Sequence, residues 1–211
     1  VCNKRLWQDK LGQISLATTT LFWGVSGNLR YIVFAWAAVA LGYSVPQASG
    51  LVGVVAIGTA AGAVYASMRC RLDRATNVMP LGITMGVLVM CMYFVNTIWV
   101  AVPFLILLGV VGGYLVVPMN ALLQHRGHNL MGAGRSIAVQ NFNEQLAILA
   151  MGGGYTLATK VGVSALWAIV GLGALVAVVM FSIQQWHKRN LQTHPQELAA
   201  LLEIARNDKG H

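Results

Sequence analysis

The stretch IWVAVPFLILLGVVGGYLVVPMNALL, residues 98–123, carries no charged side chain. A helix needs about 20 mostly apolar residues to cross ~30 Å of hydrocarbon, and this run exceeds that. Runs of similar length lie on both sides of it. The sequence predicts membrane-spanning helices at 14–41, 47–68, 78–95, 98–123, 133–157 and 165–186, joined by short segments rich in Gly, Asn, Ser and Pro. The expected fold class is all-α, a polytopic membrane protein of six transmembrane helices. Residues 1–13 form a linker before the first span, and residues 187–211 form a tail after the last.

Composition agrees with that class. Only 9% of the 211 residues are charged and 57% are hydrophobic. Soluble domains carry about 25% charge, so lipid must solvate much of this surface. The 23 glycines suit helices packed closely in a membrane. The chain opens on Val1 rather than Met, which points to a fragment, and no signal peptide is expected ahead of the first span.

The basic residues give an orientation. Lys4, Arg5 and Lys10 precede the first span, and Arg69, Arg71 and Arg74 separate the second from the third. Arg126 and Arg135 flank the fourth connection, and Lys188 and Arg189 follow the sixth span. The remaining connections carry only Lys160. Basic loops stay cytoplasmic, so both termini are expected on the cytoplasmic side. The net charge of +8 is dispersed at helix ends and forms no continuous face, which argues against a nucleic-acid partner.

Enzyme signatures are absent: no GxSxG elbow, Walker A loop or HExxH occurs. Cys2, Cys70 and Cys91 have no metal-ligand spacing, and no structural disulfide is expected of them. His125 and His128 stand in a connecting loop with no cysteine or carboxylate beside them, so no metal and no cofactor is expected.

The informative residues are polar ones inside spans. A charge at the bilayer centre costs about 2.5–3.5 kcal/mol on insertion scales, so it is usually functional or paired. Arg30 lies in the first span and Glu144 in the fifth. At ~1.5 Å per residue, Glu144 falls near the midplane, Arg30 in the outer half, and Asn120 and Gln124 near the inner surface. Gln140, Asn143 and Glu144 follow i, i+3, i+4 spacing and share a side of the helix, and Asn141 and Gln145 widen it. If these positions face one cavity, they form a polar trail. Trp23, seven residues before Arg30, falls on the same face and is a candidate substrate contact or a core residue. The structural alternative is an Arg30–Glu144 ion pair and amides that merely bond a neighbouring helix.

Other features read as packing. Gly58 and Gly62, Gly82 and Gly86, and Gly109 and Gly113 are pairs of small residues four apart that let helices approach. The tryptophans sit mostly near interface depth. In the tail, Leu198, Leu201, Leu202 and Ala205 recur at helical spacing. They suggest a short amphipathic helix on the membrane surface or the start of a linker.

Three segments carry a resemblance: LFWG with LR in 21–30, PMNALLQHRG in 118–127 and GAGRSIAVQNFNE in 132–144. Together they resemble the C-terminal half of the bacterial lysophospholipid transporters, a family of the major facilitator superfamily. The RLDR loop, 71–74, is similar to that superfamily's motif between the second and third helices of a half. The resemblance covers about residues 10–186. It implies one six-helix half of a major facilitator fold, residues 14–186, with an N-terminal six-helix half as its partner. It implies transport of lysophosphatidylethanolamine across the bacterial inner membrane to the cytoplasmic leaflet, where an acyltransferase–acyl carrier protein synthetase restores the missing chain. On that reading Arg30 holds the phosphate, and Glu144 holds the ammonium or a coupling cation. Asn120, Gln124, Gln140, Asn141 and Asn143 replace lost water, and membrane lipid or an apolar groove takes the acyl chain. A drug or small-solute porter, or a membrane scaffold for a partner acyltransferase, are the alternatives.

Overall fold

A computed structural model describes residues 1–207, the side chains of residues 72 and 73 excepted. Two side chains of the RLDR loop therefore lie outside the described residues. The elements are α1 (Cys2–Gln8), α2 (Lys10–Ala40), α3 (Val45–Arg69), α4 (Pro80–Cys91), α5 (Ile98–Met131), α6 (Ala133–Lys160), α7 (Ala165–Thr193) and α8 (Pro195–Asn207). Short 3-10 segments, Leu72–Val78 and Met92–Phe94, extend α4 on both sides. No strand occurs among the described residues.

Four helical runs are long and apolar enough to cross a membrane: Val45–Arg69, Arg74–Phe94, Ile98–Met131 and Ala165–Thr193. Helices α2 and α6, expected as the first and fifth spans, have the length but fall short in apolarity. Gln13, Ser15, Thr18, Thr19, Asn28 and Arg30 dilute α2, and Arg135 with the polar residues of 140–145 dilute α6. In the first half of α2 most polar side chains turn inward. Ser15, Thr18 and Thr19 are buried and donate to the carbonyls of Leu11, Ile14 and Ser15 at 2.8–2.9 Å. A hydroxyl satisfied by its own helix adds little cost to burial.

The glycine pairs set the helix order. Gly58 and Gly62 of α3 lie against the carbonyl oxygens of Ile106 and Val110. Gly109 and Gly113 of α5 lie against those of Val55 and Thr59. Any side chain there would strike backbone, so α3 and α5 touch along their main chains. Residue numbers rise together along this contact, so the two helices run parallel. Between α4 and α7 they run opposite: Gly82 meets Met180 and Gly86 meets Ala177. Along α2 and α6, Gly24 meets Ala147, and Asn28 lies beside Gly152, again parallel. The directions alternate along the chain.

The core lies among α2, α3, α4, α5 and α7. Trp36, expected near interface depth, is wholly buried there, and its indole Nε1–H donates to the Met92 carbonyl at 2.9 Å. Several ends differ from expectation. Helix α5 continues to Met131, so His125, Arg126 and His128 are helical rather than in a loop. Gly132 alone, at φ +86°, turns the chain into α6. Helix α7 continues past Trp186 to Thr193.

Two short helices close the basic end of the bundle. Leu6 of α1 packs with Leu16, Leu123 and Val139. Leu198 of α8 is wholly buried with Leu11, Ala75 and Leu122. Burying one leucine is worth about 1.5–3 kcal/mol. The tail helix is thus docked on the bundle through Leu198.

Candidate functional site

Helices α5 and α6 run antiparallel from the Gly132 corner, which brings Asn120 opposite Gln140. Gln140 is buried and its Nε2 donates to Asn120 Oδ1 at 2.6 Å and to Glu144 Oε1 at 2.8 Å. Both amide hydrogens of Gln140 are therefore spent, one on each neighbour. Glu144 and Asn120 are half-buried. The result is a continuous polar chain joining two helices, with a carboxylate at one end.

The other expected site residues separate. Asn143 is buried but turns to α1, where its Nδ2 donates to Asn3 Oδ1 at 3.1 Å and to the Val139 carbonyl at 2.8 Å. Residues i+3 and i+4 stand about 100° apart around a helix, and the boundary between two faces passes between Asn143 and Glu144. Asn141, Gln124, Arg30 and Trp23 are exposed. Trp23 packs edge-on against Phe22 at 5.3 Å between ring centroids.

Arg30 does not pair with Glu144. In the α2–α6 register Gly24 is level with Ala147, which places Glu144 level with about Leu21. Arg30 is nine residues farther along, about 14 Å at the helical rise. The expected trail is therefore two polar stations. One is Asn120–Gln140–Glu144. The other surrounds Asn28, whose Nδ2 donates to the carbonyls of Gly24 at 2.9 Å and Ile148 at 3.1 Å. Asn28, Tyr31 and Thr156 line a cavity of about 350 Å³ between α2, α6 and α7. Asn28 stands two residues from Arg30, but nothing in the local pattern marks it, because its partner Ile148 lies on another helix.

A second missed feature holds the basic end. Arg126 Nε donates to Asp9 Oδ1 at 3.1 Å and its NH2 to Asp9 Oδ2 at 2.5 Å, with both side chains under a tenth exposed. Asp9 also caps α2, accepting from the backbone N–H groups of Leu11 and Gly12 at 3.2 and 2.7 Å. A carboxylate so placed satisfies the guanidinium and the helix end together. Asp9 lay in the expected linker and drew no role from sequence.

Long apolar helices, two of them linked by an amide–carboxylate chain, define a multi-pass membrane protein. The comparisons are more particular. The chain is 40% identical over 187 residues to the lysophospholipid transporter LplT of Klebsiella pneumoniae strain 342, covering 88% of this chain and 47% of that protein. It is 38% identical over 184 residues to LplT of Photorhabdus laumondii, covering 87% and 46%. It is 40% identical over 186 residues to LplT of Escherichia coli O139:H28, covering 88% and 47%. The chain is a homologue of the lysophospholipid transporters and spans about half the length of the curated relatives it matches. The resemblance carried by the three sequence segments is found. No protein-family model matches the chain, and no solved structure does.

Proposed function

We propose that this chain is the C-terminal half of a major facilitator transporter that moves lysophospholipid, lysophosphatidylethanolamine first, to the cytoplasmic leaflet of a bacterial inner membrane. Its six helical runs cross the membrane, α2 and α6 included, and both termini are cytoplasmic. The alternating helix directions and the clustering of basic residues at one end support this topology. The N-terminal half supplies the opposite wall of the path. An acyltransferase–acyl carrier protein synthetase takes the delivered lipid, and no reaction is assigned to this chain itself.

The observation that carries the reading is the Asn120–Gln140–Glu144 chain, set in a homologue of lysophospholipid transporters. A carboxylate in a span is costly unless it serves a substrate or ion. Glu144 takes the head-group ammonium or a coupling cation on this reading, and its hydrogen bond from Gln140 supports that role. Arg30, exposed and about 14 Å farther along, takes the phosphate at an earlier stage of passage rather than simultaneously. Gln124, Asn141 and Asn143 then serve as secondary contacts, with Asn143 also tying α6 to α1.

The test uses the full-length protein in cells lacking the native activity. Uptake and reacylation of radiolabelled lysophosphatidylethanolamine are followed for wild type, Arg30→Ala and Glu144→Gln at matched membrane abundance. Uptake in wild type and its loss in both variants is expected. No uptake in a well-folded wild type refutes the substrate, and full uptake by Glu144→Gln refutes the role of the carboxylate.

A further inference from the structure

A cavity of about 520 Å³ opens between α6 and α7, in the half of the bundle away from Asp9. Helix α6 walls it with Ala147, Gly154 and Ala158, and α7 faces them with Trp167 and Gly171. A Cβ added at Gly154 or Gly171 meets nothing within 4 Å, so both glycines look onto open space. The size lies within the range of small-ligand sites, about 300–1,000 Å³.

Met151, Tyr155 and Leu172 line both this trough and the neighbouring cavity that holds Asn28, Tyr31 and Thr156. Asn28 has committed both amide hydrogens to the Gly24 and Ile148 carbonyls. Its Oδ1 lies beside Gly152 with its acceptor capacity intact. Thr156 donates to the Gly152 carbonyl at 2.9 Å, and its oxygen likewise still accepts. An apolar trough therefore adjoins a smaller pocket that offers hydrogen-bond acceptors.

That combination suits an amphiphile with one chain and a free hydroxyl. A two-chain glycerolipid carries a second chain besides the one this trough would take, and has no free hydroxyl on its glycerol backbone to donate. We propose that the two adjoining cavities together are a docking site for a lysophospholipid. Its single acyl chain lies between α6 and α7, and its free glycerol hydroxyl donates to Asn28 Oδ1. The lipid passes from there to the Asn120–Gln140–Glu144 chain. The proposal rests on the transport reading above and adds to it a loading position and a basis for excluding diacyl lipids.

The experiment places the full-length protein in proteoliposomes with lysophosphatidylethanolamine bearing a diazirine on its acyl chain. Adducts are mapped by mass spectrometry after illumination, and transport is measured in the same vesicles. Wild type is expected to carry adducts at Met151, Tyr155 or Trp167. Gly154→Leu and Gly171→Leu project bulk into the trough from positions where an added Cβ meets nothing within 4 Å, and labelling there should fall by about tenfold or more. Gly153→Leu, on α6 but outside the trough lining, adds the same bulk at a position where an added Cβ also meets nothing within 4 Å, and should leave labelling unchanged. Asn28 also ties α2 to α6, so the hydroxyl is tested on the ligand: a 2-deoxy analogue should label the trough more weakly. Equal labelling by diacyl phosphatidylethanolamine with the same diazirine means that bilayer lipid merely fills the trough, and overturns the proposal. Wild-type transport with an unlabelled trough, or with plugs that change nothing, overturns the docking site and leaves the transport reading standing. A wild type that moves no lysolipid overturns both.

Discussion

Replacing Arg126 by alanine tests how the basic end is held. The guanidinium and the Asp9 carboxylate meet through two contacts of 2.5 and 3.1 Å, and the side chains are 6% and 9% exposed. An exposed ion pair is worth about 0–1 kcal/mol. Removing one partner of a buried pair costs about 3–5 kcal/mol, because the other charge is stranded. Arg126→Ala leaves Asp9 still accepting from Leu11 and Gly12, so its cost should fall near the lower bound, about 3 kcal/mol. Asp9→Ala strands the guanidinium and opens the α2 cap, which adds about 1 kcal/mol. The order is therefore Asp9→Ala worse than Arg126→Ala. The double variant should be no worse than Asp9→Ala alone, since no buried charge remains uncompensated. Equilibrium unfolding of the full-length protein in mixed micelles, followed by tryptophan fluorescence, gives the four free energies of the cycle. An Arg126→Ala protein within about 1 kcal/mol of wild type would refute the reasoning, because the pair would then be behaving as an exposed one.

Three further outcomes are expected. Gly113→Val pushes a side chain into the Thr59 carbonyl and should cost at least the about 1–3 kcal/mol of an overpacked core; the melting temperature and monodispersity in detergent check this. Gln140→Leu frees Glu144 from Asn120 and should lower lysophosphatidylethanolamine uptake at unchanged abundance, whereas unaltered uptake would mean that the amide only ties α5 to α6. Leu198→Asp should release α8, seen as rapid proteolytic cleavage around His194 with the rest of the chain protected; protection equal to wild type would show that the docked leucine is dispensable.

Much of the architecture was readable from composition. A charge content of 9% and runs such as 98–123 demand lipid as solvent, whatever the packing. The glycine pairs announced close helix contacts because only a missing side chain permits backbone to touch backbone, although which helices they join was not written in them. Gln140 and Glu144 were legible as partners, since four residues make little more than one turn of a helix. The relationship to lysophospholipid transporters was legible in three short segments, because they carry polar residues that interrupt otherwise featureless apolar helices.

Register and direction between distant helices were decided by tertiary structure alone. Arg30 and Glu144 are the conspicuous charges, yet the parallel α2–α6 contact sets them about 14 Å apart along the axis. Asp9 gives no sign of its role in a linker sequence, and only the fold of α5 back over α2 delivers Arg126 to it. Asn28 gains its meaning from Ile148 and Gly152 across a helix interface. Local spacing prescribes which side chains share a face. Which face meets which neighbour, and at what height, follows from packing between segments over a hundred residues apart, and no local pattern encodes that.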